Sequence, residues 1–137
     1  MRASTKLACV LPAIMATVPA IALDKSAQLL CATVDAYECV DGRGCQEVLP
    51  EAVNLPAFLR IDLRKKEIST SEDRASMIEH LDTLEGRTIL QGAEPGSDER
   101  ADGGGWTLTI DEETARFTGT MTADHAALVI FGACTDQ

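Results

Sequence analysis

The segment WTLTIDEETARFTGTMT, residues 106–122, decides the fold class. Its apolar residues at 106, 108 and 110 alternate with threonines, and the alternation resumes at Phe117 and Met121 after the polar residues 111–114. A period of two is typical of a strand with one buried face. Two such segments joined by a short polar turn predict an antiparallel β-hairpin.

Four further segments carry strand patterns. Residues 29–40 alternate and predict the first strand, while 58–63 places Leu59, Ile61 and Leu63 on one face with 68–70 as hairpin partner. Residues 128–133 are apolar on both faces, which predicts a central or closing strand. We therefore expect an all-β fold, a small antiparallel meander barrel or sandwich of six to eight strands.

Two parts of the chain echo each other. Leu59-Arg60-Ile61-Asp62 followed by 68–70 resembles Leu108-Thr109-Ile110-Asp111 followed by 117–119. Two copies of a generic hairpin explain the likeness, so it does not indicate a duplicated domain.

The segment 71–84 is ambiguous. Met77, Ile78, Leu81 and Leu84 have helical spacing. However, Glu85-Gly86 is a plausible two-residue turn between strands 77–84 and 87–92. The local pattern leaves helix and strand both open.

Composition limits the class of protein. The chain has 137 residues, of which 45% are apolar and 25% charged, as in a single globular domain. Twelve Lys and Arg stand against 22 Asp and Glu, a net charge of −10. This balance excludes a nucleic-acid binder, because contact with phosphates needs a basic face.

The first residues have the pattern of an export signal. Arg2 and Lys6 precede an apolar run over 7–21, and Ala20-Ile21-Ala22 offers a small-x-small cleavage site. We predict a signal peptide at 1–22 and a single β-domain at 23–137, periplasmic or secreted. Cleavage would leave ten basic and 22 acidic residues, a net charge of −12. No later apolar run is long enough to span a membrane.

Four cysteines remain after Cys9 is removed with the leader, and an even number in a small exported domain predicts two disulfides. Along a strand, Cys31 and Cys39 would lie ~26 Å apart. A disulfide needs Cα atoms within ~7 Å, so that pair is excluded. The two glycines of 40–44 favour Cys39–Cys45 with Cys31–Cys134, and the pairing of Cys31 with Cys45 stays open.

No catalytic residue, cofactor or metal site is predicted. His80 and His125 have no partner at metal-ligand spacing, and the chain has no Gly-x-Ser-x-Gly elbow. Asp98, Glu99 and Asp102 offer oxygens to calcium, but without the residue order of a specific calcium loop. A barrel with a ligand cavity is conceivable, yet at this length we expect side chains to fill the interior.

Residues 87–94 and 103–135, with Trp106–Asp111 and Phe131–Thr135, resemble an uncharacterised family of small exported bacterial β-proteins. Cys39 and Cys45 around a glycine turn, followed by Asn54-Leu55-Pro56, carry the same likeness. The resemblance implies no activity. It favours a β-hairpin ending at Leu90-Gln91-Gly92 for the ambiguous segment.

Tyr37-Glu38-Cys39, followed closely by glycine and by a terminal cysteine after strands, is similar to the periplasmic C-type lysozyme inhibitors. That resemblance implies a small β-barrel that inserts a loop into a cationic cleft. The family's Ser-Gly-x-Arg-Tyr-type inhibitory segment has no match here, so no site residue is carried over.

We therefore expect a non-catalytic binding module for a protein or envelope component, with the acidic loop 94–102 as the first candidate surface. The alternative is an inhibitor of a cationic secreted hydrolase, either a lysozyme or a protease. The charge of the mature chain and the stapled loop 39–45 motivate that alternative.

Overall fold

A computed structural model describes residues 28–70, 74–96 and 103–137. The predicted signal peptide 1–22 lies outside the described residues. So do Asp98, Glu99 and Asp102 of the candidate acidic loop.

Within these residues the chain forms ten strands and one short 3-10 helix. Their bounds are β1 Gln28–Val40, β2 Gly44–Val48, the helix Pro50–Val53, β3 Phe58–Asp62, β4 Glu67–Thr70, β5 Ala75–Met77, β6 His80–Leu84, β7 Arg87–Glu94, β8 Gly104–Asp111, β9 Arg116–Ala123 and β10 Ala126–Asp136.

All strands belong to one curled antiparallel sheet in the order β5-β4-β3-β1-β10-β9-β8-β7-β6. The long strand β1 pairs with β10 on one side, and with β3 and then β2 on the other. The predicted all-β class is confirmed. The structure has ten strands where six to eight were expected, because β2 is a separate partner of β1 and because β5 and β6 are two short strands.

The two ends of this sheet meet at Ile78 and Glu79. The Ile78 amide donates to the Lys66 carbonyl (2.8 Å), and the Glu79 amide donates to the Gln91 carbonyl (2.9 Å). Strand β5 therefore pairs with β4, and β6 pairs with β7 across the turn at Glu85 and Gly86. The described part of the ambiguous segment is extended, because pairing with both sheet ends outweighs its helical spacing.

Both predicted disulfides are confirmed, and each joins residues that face each other across a strand pair. Cys31 lies opposite Cys134 on β1 and β10, and Cys39 lies opposite Cys45 on β1 and β2. The Cα atoms are 3.9 Å apart in each pair. In the chain-entropy model, a loop of 103 residues stabilises the fold by about 4.7 kcal/mol.

The packed core lies towards one end of the curled sheet. We call this the closed end; it carries the turns 63–66, 85–86 and 112–114. Leu29, Ile61, Leu90 and Ile110 are fully buried there, and Phe117 nearly so. The opposite end, which we call the open end, carries the 3-10 helix and the turn at 124–125.

The sequence echo has a structural counterpart, because an aspartate at the end of each repeated strand caps the turn that follows. The Asp62 carboxylate accepts hydrogen bonds from the Lys65 amide (2.9 Å), the Arg64 amide (3.1 Å) and Gln28 Nε2 (3.0 Å). Asp111 accepts from the amide and the hydroxyl of Thr114, both at 2.8 Å. These bonds lower the pKa of both carboxyl groups, and the turn amides of Lys65 and Thr114 are the largest causes.

Acid should therefore destabilise the protein through these two turns. A lowered folded-state pKa stabilises the fold above the unfolded value of 3.8, and this stability is lost as the pH falls through the folded value. We expect Asp62→Asn to lower the thermal midpoint at neutral pH and to flatten its decline in acid. The control is Asp82→Asn, at an exposed position on β6. An equal acid response in both variants would contradict this account.

Candidate functional site

A cavity of about 640 Å³ occupies the open end of the curled sheet. Its wall comes from the inner face of most strands and from residues 52–56 beside the 3-10 helix. The interior is filled by side chains at the closed end, as expected, but not at the open end, where the cavity lies. The strands keep their large buried residues near the closed end and leave the other end hollow.

The strand register explains why the interior is hollow. Across β1, β10, β9, β8 and β7 the inward residues form successive layers from the closed end to the open end. The first is Ala36, Ile130, Gly119, Leu108 and Leu90; the second is Glu38, Leu128, Met121, Trp106 and Gly92; the third is Val40, Ala126, Ala123, Gly104 and Glu94. Small residues dominate the third layer, so the described strands place few bulky side chains in the space near the mouth.

The segment after β2 closes one side of the cavity. Leu49-Pro50 starts the 3-10 helix, and Asn54 ends it in the left-handed conformation (φ 55°). The Leu55 amide then donates to the Pro50 carbonyl (2.9 Å), which turns the chain back. Leu55 and Pro56 thereby lie in the cavity wall.

Trp106, the only tryptophan of the chain, lies in the cavity wall against Gly92. A Cβ atom at Gly92 would lie 2.8 Å from Trp106 Cε2 and 2.6 Å from the Met77 carbonyl oxygen. The absence of a side chain at Gly92 therefore lets the indole ring approach β7 closely at the junction of β5 and β7.

Two polar groups of the wall have no hydrogen-bond partner among the residues that the structure describes. They are Trp106 Nε1 and Thr70 Oγ1, and both atoms are buried. A buried donor without a partner costs about 1–3 kcal/mol.

Charged side chains stand in the wall near the mouth. Glu38 faces inward from β1 and Glu94 from β7, and Arg74 precedes β5. The Ser76 hydroxyl donates a hydrogen bond to Glu94 across the junction of β5 and β7. Mostly apolar walls with a few convergent polar groups are typical of small-molecule sites.

The two histidines considered from the sequence lie apart on the surface of the described part of the chain. His80 is exposed on β6 and His125 is exposed in the turn between β9 and β10. Within 28–70, 74–96 and 103–137, no group of three His, Cys, Asp or Glu residues could hold a metal ion. Nor does any helix in these ranges have the length and apolarity to cross a membrane.

Comparison with protein-family models, with curated proteins and with solved structures gave no match for this chain. The site is therefore interpreted from its own geometry and chemistry.

The position of Trp106 can be tested at Gly92. We expect Gly92→Ala to displace the indole ring, to change its fluorescence maximum and to destabilise the fold by about 1–3 kcal/mol, the usual cost of overpacking. Gly105→Ala is the matched control on β8, because the nearest neighbour of the added Cβ atom, Thr122 Oγ1, would be 3.9 Å away. Equal spectra and equal denaturation midpoints for the two variants would refute the contact.

Proposed function

We propose that this protein is a non-catalytic, exported binding module that takes a small, largely apolar ligand into the cavity at its open end. The observation that carries the proposal is the cavity itself. Its volume of about 640 Å³ lies within the range of pockets that enclose one small molecule. An envelope component of low molecular mass fits this space better than a folded protein domain does.

The wall supports binding of a compact apolar body. Leu55, Leu59, Ile68, Leu108 and Leu128 all line the cavity. Transfer of apolar surface from water to such a wall yields about 25 cal/mol per Å² before the cost of association.

A binding role without catalysis agrees with the composition of the wall. Neither histidine is among the described residues that line the cavity, and the four cysteines 31, 39, 45 and 134 are held in disulfides. Nucleophilic catalysis needs an activated nucleophile beside a base. In the described wall, Thr70 Oγ1 has no hydrogen-bond partner, and the Ser76 hydroxyl has the Glu94 carboxylate beside it rather than a histidine.

Export is the second part of this proposal. It is supported by the two disulfides, which persist in oxidising compartments, and by the signal-peptide pattern of residues 1–22. The periplasm or the external medium would provide the required conditions. Free thiols at Cys31 or Cys134 in protein taken from native cells would contradict it.

Occlusion of the cavity should abolish ligand uptake. We expect the oxidised protein to bind decanol. This binding can be measured by calorimetry and by the fluorescence emission of Trp106. Ala126→Phe places a ring inside the mouth and should weaken binding about tenfold or more, as volume changes in apolar pockets do.

The matched control is Thr122→Phe, which adds the same ring at an exposed position on β9 that does not line the cavity. Equal affinity of the two variants, or no binding by the parent protein, would overturn the proposal.

A second candidate function is inhibition of a cationic secreted hydrolase. The observation that favours it is the β1–β2 hairpin, whose exposed tip at 41–43 is held at its base by Cys39–Cys45. A rigid, preorganised loop binds a cleft at a lower entropic cost than a flexible loop. Undiminished lysozyme and protease activity in an excess of the oxidised protein would eliminate this candidate.

A further inference from the structure

We propose that the cavity binds an amphipathic organic cation, with its apolar body inside the open end and its ammonium group attracted by the wall carboxylates Glu38 and Glu94. This inference rests on the proposed function, because it names the ligand class of the same cavity.

Glu38 gives the first reason. It lies on the inner face of β1 directly opposite Leu128 of β10, and the neighbouring inward pair is Ala36 with Ile130. The side chain is half-buried and forms no ion pair with any residue that the structure describes. A carboxylate on an apolar wall is costly to desolvate without a partner of opposite charge. A bound ammonium group would supply that charge.

Glu94 gives the second reason, because it adds another carboxylate nearer the mouth. It faces inward from β7, one layer beyond Gly92, and is paired in register with Gly104. The Ser76 hydroxyl donates to one of its oxygens and fixes the side chain. An ionised carboxylate has about four acceptor sites, so Glu94 keeps the capacity to accept from an ammonium group.

Trp106 connects the charged mouth with the apolar interior. The register places it in the same layer as Glu38, with Met121 and Leu128 between them on β9 and β10. An indole is the aromatic ring that attracts cations most strongly, and an alkyl chain packs on it equally well. The wall thus offers an aromatic surface to both parts of one amphipathic molecule.

Arg74 is the only positively charged residue among the described residues of the wall, which also contain two carboxylates. The electrostatic field of the whole chain acts in the same direction as these carboxylates, since the net charge of the chain is −10. An acidic protein attracts cations over distances of about a Debye length and repels anions. The balance of charge therefore favours a cationic ligand over an anionic one.

Three compounds with the same tail test this inference: decylammonium, decanol and decanoate. Calorimetric titration of the oxidised full chain should give the tightest binding for decylammonium and the weakest for decanoate. Added salt should reduce the advantage of decylammonium over decanol, because screening weakens the contacts with Glu38 and Glu94.

Neutral variants of the two carboxylates identify the groups responsible. Glu38→Gln and Glu94→Gln should each weaken the binding of decylammonium about fivefold, the upper range for a solvent-accessible ion pair, and should weaken the binding of decanol by less. The control is Glu47→Gln, because Glu47 is exposed on β2 and does not line the cavity. It should bind all three compounds as the parent protein does.

The outcomes separate the two proposals. If none of the three compounds binds, both the cavity function and the ligand class are wrong. If decanol binds as tightly as decylammonium, or if the Glu38 and Glu94 variants behave as the Glu47 control, the ligand class is wrong while the cavity function stands. If decanoate binds most tightly, Arg74 selects the ligand and the cationic class is overturned.

Discussion

The pairing of β1 with β10 is the contact on which the rest of the structure depends. It joins the first described strand to the last over the registers from Leu29 to Val40, and Cys31–Cys134 locks it near the closed end. Without it the sheet would divide into two parts, one from β5 to β1 and the other from β10 to β6, and each part would have a long unpaired edge. The pairing of β1 with β10 therefore brings together the two parts that surround the core and the cavity.

The division of the interior follows from where large residues face inward. Leu29, Ile61, Ile110 and Phe117 fill the closed end, and this core holds the strands in register. Nearer the mouth, the inward positions are occupied by small or charged residues, so the strands continue without a core between them. The packed end supplies stability, and a preorganised site can then exist at the other end.

Much of the fold is predictable from local pattern, since alternation along 106–122 and 58–63 reports which face is buried. Strand length and disulfide reach excluded the pairing of Cys31 with Cys39, and the glycines of 40–44 favoured Cys39–Cys45 with Cys31–Cys134 without excluding Cys31 with Cys45. The split of 75–84 into β5 and β6 could not be predicted from the local pattern, because its two halves pair with two different strands, β4 and β7. The cavity could not be predicted either, since whether Gly92, Gly119 and Ala126 leave space depends on the residues beside them on neighbouring strands. The small inward residues of β7, β9 and β10 were the available signal.

The most direct test of the central claim, a sheet packed at one end and hollow at the other, is a crystal structure of the oxidised protein under xenon pressure. Xenon enters accessible apolar cavities and is readily located there. The account predicts xenon between Trp106, Leu108 and Leu128, and none among Leu29, Ile61 and Ile110. Side chains of Trp106, Met121 and Leu128 packed against one another, with no xenon between them, would contradict it.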